Sequence, residues 1–145
     1  YENPFWMDTD GVEISKAFHS ANTDIEEAGK CLTLDRGTAC VMHLMRVMEA
    51  GLKVLAAELG VKPQNDWGSY LREIDAELTK RYKTSGARSA DEIFYSEVAV
   101  GFDRVRRAWR NPTMHVDVIY TPERAEEISA AVRSFMAHLA TRLKE

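Results

Sequence analysis

Residues 35–60 have the sequence DRGTACVMHLMRVMEAGLKVLAAELG, which joins a tight break to a long amphipathic pattern. The break is Asp35-Arg36-Gly37, and after it apolar residues recur every three or four positions, as on one face of a helix: Val41, Leu44, Met45, Met48, Leu52, Leu55 and Leu59. Gly60 and Pro63 then end the pattern. The same spacing precedes the break, at Ile14, Ala17, Phe18, Ala21, Ile25, Ala28 and Leu32. Two long helices joined by so short a turn are predicted to lie antiparallel.

Three more helices are predicted in the second half of the chain. Asn65-Asp66 caps a short helix, and Ser89 with Glu92 forms a capping box, in which two side chains accept from the first backbone N–H groups of a helix. Thr121-Pro122 opens the last helix, because proline is tolerated at the first helical position. The pattern as a whole predicts an all-α, up-and-down bundle of four long helices and one short helix.

The length and composition of the chain indicate one compact domain. A chain of 145 residues with 45% hydrophobic residues can form one core, so we predict an irregular N-terminal segment at residues 1–11 and a single helical domain at residues 12–145. The net charge of -4 argues against a general nucleic-acid coating protein. No apolar run approaches the roughly 18 residues that span a bilayer and no charged, apolar leader is seen, so no membrane association and a soluble, cytoplasmic protein are expected.

The two cysteines, Cys31 and Cys40, lie on either side of the predicted turn between the first two helices. They form no CxxC motif and have no zinc-type spacing with histidine. They are interpreted as reduced, partly buried thiols. Their placement would also allow them to approach each other, so an oxidised pair is the alternative.

Residues 109–115, with the sequence WRNPTMH, combine the side chains best suited to chemistry. Pro112 is predicted to end the preceding helix and to push Asn111 out of helical geometry. Arg110, Asn111 and His115 would then converge at one end of the bundle. An arginine fork can hold two phosphate oxygens, and a histidine can exchange a proton near neutral pH. The predicted chemistry is attack on a phosphodiester, with the 2′-hydroxyl of RNA as the nucleophile.

The neighbourhood of this segment is basic, which favours an anionic substrate. Between Gly101 and His115 the only acid is Asp103, and Arg106 and Arg107 are predicted to bind substrate. Glu-x-x-His pairs for a di-iron site, a glycine-rich phosphate loop and a Gly-x-Ser-x-Gly elbow are all missing from the sequence. Neither a metal nor a cofactor is therefore expected.

Arg110-Asn111-Pro112-Thr113-Met114-His115 resembles the R-N-x3-H form of the R-x4-6-H motif of HEPN domains, which are all-α bundles of similar length. The resemblance implies a metal-independent endoribonuclease that acts as a homodimer, with Arg110 on the phosphate, His115 as general acid or base and Asn111 orienting or binding. It also implies a toxin or defence component with an antitoxin protein as a possible partner. Asp117 stands where some of these toxins carry a modified tyrosine. The alternative is a non-catalytic module of the same fold that binds RNA or a nucleotide, or that mediates dimerisation.

The same spacing of arginine and histidine recurs at Arg133 and His138, inside the predicted last helix. Five residues of helix separate two side chains by roughly 140° around the axis, so that pair cannot converge. For Arg110 and His115 the structural alternative is an arginine that caps helix carbonyls and a histidine bonded to loop backbone.

A polar stripe runs along the second predicted helix, and two interpretations of it stay open. Its members are His43, Arg46, Glu49 and Lys53, at spacings of three and four. They form either a solvated, salt-paired face or a second polar shell or dimer contact under the active site. Methionines at 42, 45 and 48 on the same helix suit core packing, or secondarily a dimer seam.

Overall fold

The computed structural model describes residues 5–145, and within that range its regular secondary structure is helical, without a strand. The α-helices are α1 (Thr9–Ala17), α2 (Asn22–Thr33), α3 (Gly37–Glu58), α4 (Trp67–Ser85), α5 (Ala90–Val105), α6 (Asn111–Thr113) and α7 (Pro122–Ala140). A 3₁₀ turn at His19–Ala21 precedes α2, and a π turn at Arg106–Arg110 joins α5 to α6. The predicted all-α class is confirmed. None of the helices in the described range is both long and apolar enough to cross a membrane.

The first predicted helix is in fact two, α1 and α2, and the helix predicted to be short is α4, which has 19 residues; both findings correct the count of four long helices and one short one. α1 ends at Ala17, and Phe18 leaves helical geometry with φ -127° and ψ 71°. The Phe18 side chain is fully buried. The physical reason for the bend is packing: α1 lies against α7 whereas α2 lies against α3, and one straight helix could not face both.

The N-terminal boundary of the helical region lies slightly earlier than predicted. Asp8 caps α1 by accepting from the Gly11 backbone N–H at 3.0 Å, so the helix begins at Thr9, inside the predicted N-terminal segment of residues 1–11. Residues 1–4 of that segment lie outside the described range. Phe5 and Trp6 pack against the core.

α3 is the centre of the core. It packs against both α2 and α7, and the three residues between α2 and α3 make the tight turn expected from Asp35-Arg36-Gly37, with Asp35 in the left-handed region at φ 56°. The seven positions predicted from the periodicity are all buried: Val41, Leu44, Met45, Met48, Leu52, Leu55 and Leu59. Cys40, Val47 and Ala56 of α3, which the periodicity did not predict, are buried with them. Burying a large apolar side chain stabilises the fold by about 1.5–3 kcal/mol. The apolar face of α3 is therefore the face that packs into the core, which is why the spacing predicted the buried residues.

The start of α3 also holds the segment that leads into α7. A Cβ on Gly37 would lie 2.3 Å from the Tyr120 carbonyl oxygen, so only glycine allows this backbone approach. The Tyr120 N–H donates to Thr38 Oγ1 at 2.9 Å. The segment between α6 and α7 is thereby fixed at its C-terminal end, close to the candidate site.

Candidate functional site

The helix does not break at Pro112, contrary to the prediction. Asn111 is helical, with φ -65° and ψ -48°, and its N–H donates to the carbonyl oxygen of Arg106, five residues back. This π turn loosens the helix just before the proline, whose ring would otherwise collide with the carbonyl four residues earlier. The helix therefore continues through Thr113. It ends with the His115 N–H donating to the Pro112 carbonyl at 2.9 Å.

A cleft of about 270 Å³ opens where this segment meets α3 and the first residue of α4. It is lined by Met42, Met45, Arg46, Glu49, Trp67, Arg110, Thr113 and Met114. The lining combines methionine and tryptophan surface with two arginines and one carboxylate. Largely apolar walls with a few convergent polar groups are typical of ligand sites.

Arg110 is half-buried in this cleft. Its guanidinium makes neither a hydrogen bond nor an ion pair with any residue in the described range, so the alternative role of capping helix carbonyls is not seen there. A partly desolvated cation gains stability when an anion reaches it. Arg110 is thus available to a ligand.

The second arginine of the cleft, Arg46, is paired with Asp24, an acid on α2. Its Nε donates to Asp24 Oδ1 at 2.8 Å, and this hydrogen bond is the main reason that the pKa of Arg46 is raised. Asp24 is 9% exposed, whereas the Arg46 side chain is 69% exposed. One N–H group is therefore anchored while the rest of the guanidinium stays accessible.

His43 completes this cluster. Its Nδ1 lies 2.8 Å from the same Asp24 Oδ1, and because a carboxylate only accepts, Nδ1 carries the proton. Two members of the polar stripe, His43 and Arg46, are therefore paired with an acid on another helix. Arg46 and Glu49 line the cleft, which favours a role of the stripe at the candidate site over a purely solvated face. Asp24 was missed in the sequence; the available signal was an acid beside Ala21, Ile25 and Ala28 on the buried face of its helix.

The predicted substrate-binding residues, Arg106 and Arg107, are engaged elsewhere. Arg106 Nη2 lies 3.0 Å from Asp103 Oδ1 and Arg107 Nε lies 2.9 Å from Asp103 Oδ2. The side chains that line the cleft do not include either of them. Their charge contributes to the surroundings of Arg110, but Asp103 offsets part of it.

Asn111 and His115 lie on the exposed surface next to the cleft. Each adjoins a lining residue in the chain, Arg110 and Met114 respectively, but neither lines the cleft itself. Their side chains make no hydrogen bond to the part of the chain that the structure describes. One chain thus places Arg110 in the cleft and leaves the imidazole at its edge, free to meet a substrate or a second protein surface.

The segment is anchored from inside by Thr113, which is 7% exposed. Its hydroxyl donates to the Trp109 carbonyl at 2.5 Å and lies 3.4 Å from the Tyr120 hydroxyl. On the outside, by contrast, the same region exposes large apolar side chains: Met114 (64%), Val116 (93%) and Ile119 (82%). We call these three residues the apolar loop.

The two cysteines are free thiols. Cys40 is fully buried, and burial, with a smaller contribution from nearby Cys31, raises the pKa of its thiol to about 12. Within residues 5–145 no three histidine, cysteine, aspartate or glutamate side chains are grouped as metal ligands would be.

Comparisons with protein-family models, with curated proteins and with solved structures find no match to this chain. Its function must therefore be inferred from the cleft itself.

Proposed function

We propose that the protein is a metal-independent endoribonuclease of the HEPN type, in which Arg110 binds the scissile phosphate and His115 transfers protons. The observation that carries the proposal is the state of Arg110: a half-buried guanidinium, unpaired among the described residues, in a cleft whose other cation is fixed by a buried acid. Such a pair of arginines suits a phosphodiester, because charge-assisted hydrogen bonds from both can reach its oxygens.

The chemistry needs only the RNA and these side chains. The 2′-oxygen attacks phosphorus while a neutral imidazole accepts its proton, and the bond from phosphorus to the 5′-oxygen breaks as an imidazolium donates a proton to that oxygen. The products are a 2′,3′-cyclic phosphate and a 5′-hydroxyl. Arginine donors stabilise the charge that develops on the non-bridging oxygens, which is worth about 3–4 kcal/mol for one well-placed donor. Asn111, beside Arg110, would orient the phosphate.

A homodimer supplies the two imidazoles that this scheme uses. The apolar loop lies in the same segment as His115, and it exposes three large apolar side chains within six residues of the chain. A two-fold contact through this loop would apply the same patch from both chains. It would bring two copies of the motif to one interface, with one His115 as base and the other as acid.

The biological setting is proposed from the motif resemblance alone. A ribonuclease of this kind would act in the cytoplasm as a toxin or defence component, with an antitoxin protein as its regulatory partner. The exposed apolar loop would be accessible to such a partner when the dimer is not formed.

The second candidate is a non-catalytic module that binds RNA or a nucleotide in the same cleft. One observation favours it: the cleft of a single chain is lined by Arg110 and Arg46 but not by His115. Binding alone would need the two arginines, whereas cleavage also needs the imidazole to approach the phosphate.

The deciding experiment incubates the purified protein with a mixed-sequence RNA in excess EDTA and follows its length and end groups. We expect cleavage that leaves 2′,3′-cyclic phosphates, and a loss of at least 100-fold in rate for Arg110→Ala and for His115→Ala. Arg88→Ala and His138→Ala are matched controls. Arg88 lies just before α5, 22 residues from Arg110 in the chain, and His138 packs near Phe94 at the distant start of α5.

The outcomes separate the candidates. Cleavage that persists in both Arg110→Ala and His115→Ala would refute the ribonuclease assignment. Intact RNA, together with binding that weakens as salt rises and is lost in Arg110→Ala, would establish the binding module instead.

A further inference from the structure

Glu49 is the acid among the residues that line the cleft, and a phosphate-binding role does not explain it. It is half-buried and lies one turn beyond Arg46 on α3. Its carboxylate forms no hydrogen bond or ion pair within the described part of the chain, although the charge of Glu49 contributes to the raised pKa of Arg46. A carboxylate beside a phosphate site repels the phosphate, so its presence calls for a ligand group that donates hydrogen bonds.

The apolar part of the cleft suits a nucleobase. Met42, Met45 and Met114 offer flexible, polarisable side chains that pack well against an aromatic ring. Trp67 is only 2% exposed, so it forms part of the cleft wall but offers little surface for stacking. A volume of about 270 Å³ lies just below the range of about 300–1,000 Å³ for small-ligand sites, which leaves room for one nucleotide at most.

The type of base follows from the acceptor. A carboxylate only accepts hydrogen bonds, and single-stranded RNA is read on the Watson–Crick edges of its bases. Guanine presents two adjacent donors on that edge, N1–H and the N2 amino group, which match the two oxygens of a carboxylate. Adenine and cytosine present one amino group beside an acceptor, and uracil presents one N–H between two acceptors.

We propose that the cleft is a guanine-nucleotide subsite, in which Glu49 accepts from guanine N1–H and N2–H while Arg46 and Arg110 bind the adjacent phosphate. This inference rests on the proposed function and names the base that the site would select. The methionines enclose the base, and Asp24 fixes Arg46 for the phosphate. The resulting enzyme would cut RNA next to guanine.

The test measures the affinity of the full chain for 5′-GMP, 5′-IMP, 5′-AMP and guanosine by calorimetry at low salt. We expect GMP to bind about tenfold or more tightly than AMP, since a good bidentate pair discriminates by that amount. IMP, which lacks the N2 amino group, should fall between them. Guanosine should bind more weakly than GMP, and that difference should shrink in Arg110→Ala.

The informative variant is Glu49→Gln, which keeps the shape and removes the charge. We expect it to lose the preference for GMP while its affinity for AMP stays equal or improves, because repulsion of the phosphate is relieved. Lys53→Gln, on the same stripe but outside the cleft lining, is the matched control and should leave the preference unchanged.

Equal affinity for GMP and AMP, or an unchanged preference in Glu49→Gln, would overturn the guanine subsite. RNA cleavage without base preference would then leave the ribonuclease proposal standing. A clear preference for GMP in a protein that does not cut RNA would support the subsite and refute catalysis, so the two failures can be told apart.

Discussion

Replacing Asp24 with alanine should both destabilise the protein and weaken RNA binding, because one buried carboxylate fixes two side chains beside the cleft. Asp24 Oδ1 lies 2.8 Å from Arg46 Nε and 2.8 Å from His43 Nδ1. Without it, Arg46 would no longer be held in the cleft wall, and the imidazole of His43 would lose its orienting partner.

The size of the effect follows from the exposure of the partners. A hydrogen bond to a charged group contributes about 1.5–3 kcal/mol when buried, but the Arg46 side chain is 69% exposed, which reduces its share to about 0.5 kcal/mol. The His43 side chain is 30% exposed and retains about 1.5 kcal/mol. The sum of about 2 kcal/mol corresponds to a fall in Tm of about 4–8 °C for a domain of this size.

Urea unfolding followed by circular dichroism measures this change, with Asp75→Ala as control. Asp75 is an exposed helical aspartate without an ion pair among the described residues, so its loss should shift the free energy of unfolding by less than about 0.5 kcal/mol. RNA affinity is then measured for Asp24→Ala, Arg46→Ala and the double variant. Under the proposed function Asp24 would affect RNA only through Arg46, so the double variant should bind RNA no more weakly than Arg46→Ala alone.

Additive losses in RNA affinity would refute this reasoning, since they would show that Asp24 acts independently of Arg46. Wild-type stability of Asp24→Ala would contradict the predicted loss of about 2 kcal/mol, because it would show that the two hydrogen bonds of Asp24 do not stabilise the fold.

Three further predictions test other parts of the molecule. Aspartates at Val116 and Ile119 should convert the proposed homodimer to a monomer in sedimentation analysis with little change in Tm, because both side chains are more than 80% exposed; a dimer of unchanged mass would exclude the apolar loop as the interface. Gly37→Ala should lower stability by about 1–2 kcal/mol in urea unfolding, since a Cβ 2.3 Å from a loop carbonyl costs about 1–3 kcal/mol and the helical gain from alanine is at most about 1 kcal/mol. At pH 8 a thiol reagent should label half-buried Cys31 well before Cys40, whose pKa of about 12 leaves almost no thiolate; equal labelling rates in the native protein would contradict this burial.

The helical class and the central position of α3 could be predicted because both depend on apolar periodicity, which is local in the sequence. The bend at Phe18 could not, since residues 14–32 keep their periodicity and contain no proline. That bend comes from packing against two different partners, α3 and α7, and a single helical pattern does not encode it.

The candidate site stays a prediction, but the structure corrects the reason given for its geometry. Pro112 was expected to end the helix, and the structure instead accommodates it with a π turn that keeps Asn111 helical. Arg110 lies in a cleft, but the residues around it include Arg46 and Glu49 from α3 rather than Arg106 or Arg107. The contacts between helices determine which residues surround Arg110. The sequence of residues 101–115 alone therefore cannot reveal Asp24, the acid on α2 that holds Arg46.

The π turn explains why one arginine of this segment is unpaired while two others share an acid. In an uninterrupted α-helix, Arg110 would lie one turn beyond Arg106 and Arg107, on the same face of the helix as Asp103. A π turn holds one extra residue, so at its last residue, Arg110, the helix has moved out of the α-helical register by up to about 100° around its axis. Arg110 accordingly lies in the cleft with Glu49 and Arg46, whereas Asp103 binds its two neighbours. Pro112 therefore matters less as the end of a helix than as the residue that requires this turn, and the turn separates Arg110, the proposed phosphate-binding cation, from Asp103, which pairs with Arg106 and Arg107.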